Sequence, residues 1–142
     1  MADTFLPNLM FGAVLAQVLL TFVLMTMMGR RRVRFLRESK TPFSAMALGE
    51  RVYPAEVQKA ANAFHNQLEL PILFYAACLF ALQYGAIDRV FVALAWAFVT
   101  LRVVHAIEHA GRNHVRIRAQ IFALGALALC LMWGWLAFRV FA

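Results

Sequence analysis

The feature that most constrains this chain is an apolar run over 5–28, interrupted among polar residues only by Asn8, Gln17, Thr21 and Thr26. A helix needs about 20 apolar residues to cross the hydrocarbon core of a bilayer, and this run is long enough. It is too long for the core of a signal peptide, and no basic residue precedes it. Pro7 suits a first helical turn, where its missing N–H costs nothing. Gly12 and Ala16 form a small-residue face that lets another helix approach closely.

Three further apolar stretches follow. The stretch 70–84 is short alone and spans a membrane only if its helix extends back through the polar segment beginning near Pro54. The stretch 90–104 continues through His109, and a last one runs from about 117 to 141. The expectation is an all-α protein, a four-helix transmembrane bundle with helices near 5–28, 54–84, 89–110 and 116–141, in one domain over 1–142. The short 85–88 connection makes the second and third helices antiparallel neighbours. Composition agrees: 63% of the 142 residues are hydrophobic and 15% are charged, against about 25% charged in ordinary soluble domains. That excludes a soluble globular domain, a disordered chain and a collagen-like fibre. The two cysteines are too few for a disulfide framework or a four-cysteine metal site, and both are expected as small buried packers.

The net charge of +7 raises the question of nucleic acid. No aromatic residues interleave with the cations, which cluster beside the apolar spans, so the bilayer surface is the expected partner and nucleic acid is not. Arg30, Arg31, Arg32, Arg34, Arg37, Lys40, Arg51 and Lys59 lie between the first two spans, and Arg112, Arg116 and Arg118 between the last two. Four antiparallel spans bring both groups to one side and leave Arg89 and Arg139 on the other. The positive-inside rule then makes the basic side cytoplasmic and places both termini outside. The basic run after the first helix is expected at anionic headgroups. The segment 39–53 could cover the cytoplasmic mouth as a lid, which its sequence leaves open. The absence of sorting signals and the heavy use of Ala, Leu and Arg point to a bacterial inner membrane.

Polar residues at the cytoplasmic ends of the helices invite chemistry. Lys59, Asn62, Asn66 and Glu69 share one face of the second helix at about 100° per residue. Arg102, His105 and His109 share a face of the third, with Glu108 on its shoulder, and Arg118 and Gln120 stand near the start of the fourth. A lone charge buried in a membrane costs several kcal/mol, roughly, so Glu69 and Arg102 are expected to pair. An ion pair that merely fixes helix register would not need Asn62, Asn66, His105, His109 and Arg118 at the same level. Pro71 is expected to kink the second helix just beyond Glu69.

His105 and His109 are spaced i, i+4, but the order His105-Ala106-Ile107-Glu108-His109 is not H-E-x-x-H, and no metal is expected. A haem held by His65 and His105 lacks the small-residue space and second histidine pair of a multi-haem cytochrome.

The segment 56–71, with Asn66-x-x-Glu69 followed closely by Pro71, resembles the signature of the MAPEG family, the membrane-associated proteins in eicosanoid and glutathione metabolism. Arg102-Val-Val-His105 with Gly111, a basic loop and Arg118 resembles the family's helix 3 to helix 4 region. The likeness covers nearly the whole chain. It implies a homotrimer of four-helix subunits that binds glutathione between neighbours near the cytoplasmic face, where a small lipophilic electrophile meets it from the bilayer. By matching position, Asn66 and Glu69 would hold glutathione, supported by Arg102 and His105, with Asn62 and His109 also at the site. Arg118 would stabilise the thiolate, as a nearby cation lowers a thiol pKa. Arg32 or Arg34 of a neighbouring chain could meet a carboxylate.

Compared with the prostaglandin E synthase type, Asn62 and His65 stand where arginines are expected. His109 and Phe122 stand in place of tyrosines, and Ala119 in place of a serine. Three readings stay open, in this order: a glutathione-dependent transferase or peroxidase acting on lipophilic electrophiles, a non-catalytic binding or assembly protein that keeps the fold, and haem-based electron transfer, which a visible spectrum would exclude.

Overall fold

The computed structural model of the protein describes residues 4–40 and 53–142. The lid expected from 39–53 falls almost wholly outside the described residues, as does Arg51. The described residues form α1 (Phe5–Ser39), α2 (Ala55–His65), a 3-10 turn (Asn66–Leu68), α3 (Leu70–Gln83), α4 (Arg89–Ala110) and α5 (Val115–Phe141). α2, the turn and α3 form one broken rod, so the architecture is a bundle of four helical rods. α1, α4 and α5 are each long and apolar enough to cross a membrane. Large apolar side chains such as Leu19, Phe22, Leu79 and Ile107 stand exposed on the outside. A soluble surface would not tolerate so continuous an apolar coat, whereas lipid covers it without penalty.

The first helix continues well past the apolar run. Its residues 29–39 hold helical geometry through the basic segment and end at Lys40, which is left-handed at φ 51. At about 1.5 Å per residue, those residues carry the cations some 16 Å beyond the apolar run. Arg31 Nη1 donates to the Glu56 carbonyl at 2.8 Å, and Arg32 stacks over the Tyr53 ring at 5.1 Å. These contacts dock the α1 extension on the start of α2. Beside them, Lys59 donates to the exposed Glu56 carboxylate at 2.9 Å and holds its pKa below the usual carboxylate range, with Arg31 adding to the effect.

Inside, Phe74, Phe91, Phe98 and Met132 are fully buried, and Phe74 stacks on Phe98 with centroids 4.9 Å apart. Small residues set the helix spacing. Gly12 lies against Trp96 of α4, where an added Cβ would sit 3.4 Å from the ring, and Gly125 of α5 faces Leu101 of α4. α1 packs on α2 and α4, α4 on α5, and α3 on α5. Cys78 is buried as expected, but Cys130 is exposed, because it points from α5 toward the lipid side.

The end of the bundle away from the basic loops is held at Asp88. Its carboxylate caps α4 by accepting from Phe91 N at 2.8 Å, and also accepts from Trp135 Nε1 at 3.0 Å. Arg139 Nε stands 3.7 Å away. At the other end Glu108 ties the α4–α5 turn, accepting from His114 N at 2.9 Å. Within that turn Asn113 takes a left-handed φ of 60, which asparagine tolerates better than most residues.

Candidate functional site

The break in the second rod decides where the polar side chains go. A continuous helix kinked beyond Glu69 was expected. Instead the helix stops at His65, tightens into the 3-10 turn, and turns at Glu69 with φ −102 and ψ −102. Pro71 lies after the break, in the first turn of α3, where an N–H would have no intrahelical partner. The proline thus starts a helix rather than kinking one.

This geometry separates the predicted ion pair. Glu69 is exposed, and among the described residues no cation lies within 4.0 Å of its carboxylate. Arg102 is 1% exposed and turns to the broken backbone, donating from Nη2 to the Asn66 carbonyl at 2.6 Å. Carbonyls at a helix end lack intrahelical donors, and the guanidinium supplies one. The Glu69 charge still acts on Arg102 through space, but the contact predicted from their shared depth is not made.

Three of the predicted residues do come together, because they share one face of α4. Arg102, His105 (2% exposed) and His109 (3% exposed) point into the bundle. The two imidazoles meet edge to face at 5.5 Å, and His105 lies 5.8 Å from the Phe122 ring of α5. Arg118, at the start of α5, is near enough for its charge to act on both histidines. Its Nη1 donates to Asn113 Oδ1 at 2.7 Å, which fixes the guanidinium over the turn.

Asn62 does not join them. It is exposed and accepts a hydrogen bond from Gln58 Nε2 at 2.8 Å, while Lys59 is taken up by Glu56. Asn66 is half-buried, and its backbone carbonyl meets Arg102.

The cluster is short of partners. Arg102 Nε and Nη1, Asn66 Oδ1, His105 Nδ1 and His109 Nδ1 are all buried without a hydrogen-bond partner. Buried polar groups are nearly always paired in folded proteins, and an unpaired one costs about 1–3 kcal/mol. Five such atoms in one place therefore suit a polar ligand. The free Nε and Nη1 hydrogens point to different edges of the guanidinium, so each can donate to an acceptor of its own, such as a carboxylate oxygen. Among the described residues no three metal-ligating side chains converge.

A second buried polar contact was missed by the sequence reading. Gln17 (0% exposed) donates from Nε2 to Gln67 Oε1 (2% exposed) at 3.0 Å, joining α1 to the 3-10 turn. Gln67 Nε2 in turn donates to the Ala63 carbonyl at 3.2 Å. The available signal was spacing: Gln17 shares a helix face with Met10 and Ala13, which are buried.

Residues 10–138 match the sequence profile of the MAPEG family. The chain belongs to the MAPEG family. It is an integral membrane protein of that family, built as an all-helical bundle in a lipid bilayer. Neither the curated proteins nor the solved structures compared with it gave a match. For a MAPEG chain, the buried group around Arg102 and the exposed Glu69 are the features to explain.

Proposed function

We propose that this MAPEG protein binds glutathione near the cytoplasmic membrane surface. There it either transfers glutathione to lipophilic electrophiles or uses it to reduce lipophilic peroxides. The observation that carries the reading is the buried Arg102 guanidinium with two unpartnered nitrogens, beside Asn66 and the imidazole pair and within reach of Arg118. Glutathione offers two carboxylates, an amine and a thiol. Arg102 suits a carboxylate, exposed Glu69 suits the amine, and Asn66 supplies an amide to the peptide. Arg118 suits the thiolate, the nucleophilic form of the thiol. In transfer, the sulfur forms a bond to the electrophilic carbon, whose leaving group departs with its electron pair, and the thiol proton goes to solvent.

Self-association into a homotrimer belongs to the same proposal. Glu69 stands exposed between Leu68 and Ile72, which are also exposed and apolar. A carboxylate left facing lipid there is costly, and a second copy would cover it. The orientation follows from the cations, with the basic loops cytoplasmic and the termini outside, in a bacterial inner membrane.

A specific observation favours the second reading, a non-catalytic assembly protein. Arg118 is already engaged by Asn113, and Asn62 by Gln58. A glutathione titration of the purified protein separates the two readings by the ultraviolet band of the thiolate. A saturable band lost in Arg118→Ala supports the enzyme. A flat trace at millimolar glutathione would refute it.

A further inference from the structure

α1 carries a second organised feature, on the face turned away from the bundle. Its buried residues Met10, Ala13, Gln17 and Leu24 define the packed side. At about 100° per residue, Leu19, Phe22, Val23 and Thr26 fall on the opposite side, and Arg30, Arg34 and Arg37 continue the same stripe. The stripe is thus apolar within the span and cationic directly beyond it. A groove of about 560 Å³ runs along it, lined by Leu19, Phe22, Val23, Met27, Arg30 and Arg31. Thr26 adds no free polar group, because its hydroxyl donates to the Phe22 carbonyl at 2.8 Å. A second groove of about 480 Å³ continues from Arg30 past Val33 to Arg37.

The cations differ in availability. Arg31 is committed to Glu56, and Arg34 Nε donates to Glu38 at 2.8 Å. Arg30 and Arg37 are exposed and have no partner among the described residues. Depth follows from the helix rise. The headgroup layer is about 5–8 Å thick on each side of the core. Arg30 stands just past the apolar run, and Arg37 lies about 10 Å further along the axis. Arg30 therefore stands within the headgroup layer and Arg37 a few Å beyond its outer edge, where its long side chain reaches back to it.

We propose that this stripe is a seat for one anionic phospholipid. Its acyl chain lies in the groove past Phe22 and Val23, and its anionic headgroup lies between Arg30 and Arg37. A zwitterionic lipid would fill the apolar groove equally well but would meet Glu38 and the two free guanidiniums without net attraction. Charge at the end of the groove, rather than the groove itself, selects the occupant.

The test is native mass spectrometry of the full chain released from nanodiscs of equal phosphatidylglycerol and phosphatidylcholine. The wild type is expected to retain phosphatidylglycerol preferentially. Each arginine near an anionic surface is worth about five-fold in binding, so Arg30→Gln/Arg37→Gln should reduce the preference roughly 30-fold. Arg30→Lys/Arg37→Lys should keep most of it. Arg112→Gln/Arg116→Gln removes the same charge from the α4–α5 turn and should reduce retention far less than Arg30→Gln/Arg37→Gln. Equal loss in both glutamine pairs would mean diffuse surface attraction and overturn the seat, as would unaltered retention in Arg30→Gln/Arg37→Gln. Disulfide cross-linking of Val23→Cys chains in a Cys130→Ser background tests the other occupant. Efficient cross-linking would show a second copy on this face and also overturn the proposal.

Discussion

Replacing Arg102 with methionine should leave the ligand-free protein at least as stable as the wild type, although the residue removed is buried and charged. The guanidinium makes one hydrogen bond, to the Asn66 carbonyl at 2.6 Å. Its loss costs about 1.5–3 kcal/mol, the range for a bond to a charged group. Against this, Nε and Nη1 are buried without partners, and each costs about 1–3 kcal/mol, more on a charged group. Two orphaned atoms outweigh one bond, and methionine fills the same length with apolar contacts. The net expectation is neutrality or a gain on the order of 1 kcal/mol, consistent with other buried charges replaced by apolar residues. Saturating glutathione should reverse the order. A ligand at 100 times its Kd adds about 2.7 kcal/mol to the form that binds it and nothing to a variant that does not. The assay is thermal unfolding in mild detergent with and without glutathione, read by tryptophan fluorescence. If Arg102→Met lost about 3–5 kcal/mol under both conditions, the size expected when a needed buried charge is removed, Arg102 would be a structural tie and the reasoning from its orphaned nitrogens would fail.

Gln17→Leu orphans Gln67 Oε1 but also removes the unpartnered Gln17 Oε1, so it should destabilise the bundle by about 0.5–1.5 kcal/mol, the net worth of one hydrogen bond, and Gln17→Leu/Gln67→Met should recover most of it; a double-mutant cycle by unfolding reads the coupling. Gly111→Ala should destabilise by about 1–3 kcal/mol, because its Cβ would stand 2.9 Å from the Ile107 carbonyl oxygen. Gly29→Ala, with open space around it, should instead gain up to about 1 kcal/mol of helix propensity, and equal melting of the two variants would contradict the packing at Gly111. The Glu56 carboxyl is held below its usual range chiefly by Lys59 and to a lesser degree by Arg31, so its contribution to the first turn of α2 is complete above the unfolded carboxylate pKa. It is lost as pH falls through the lower folded value. The protection factors of the amides at 55–60, which correct for the intrinsic pH dependence of exchange, should therefore fall at acid pH in the wild type but show no such step in Glu56→Gln.

What could be read from the sequence was whatever one helix encodes by itself. The spans of α1, α4 and α5 follow from apolar run length. The meeting of Arg102, His105 and His109 follows from intervals of three and four residues on one helix. Contacts across the second rod were not legible, because they depend on where that rod breaks. A continuous helix would have aligned Asn62, Asn66 and Glu69 toward Arg102. The 3-10 turn instead sends Glu69 outward and offers Arg102 the Asn66 carbonyl. Pro71 signalled an interruption nearby but not its side, since a proline can bend a helix or begin one. The Gln17–Gln67 contact was hidden for a related reason: each residue is a single polar position inside an otherwise apolar stretch, and nothing local names its partner. Cys130 was misplaced because an apolar neighbourhood in a membrane protein marks the lipid side as readily as the interior.

The fastening of α4 to α5 bears on how the chain matures in the membrane. This hairpin is clasped at one end by Glu108 and His114, and at the other by Asp88 with Trp135 and Arg139. Both clasps lie within the C-terminal part of the chain, so the last two helices synthesised can zip together without help from the first two. The contact of Arg102 with Asn66 closes only when the broken rod docks on α4. An early translation product lacking α4 and α5 would hold Gln17 and Gln67 together yet have nothing to cap the Asn66 carbonyl, and membrane quality-control proteases should clear it faster than an isolated α4–α5 hairpin.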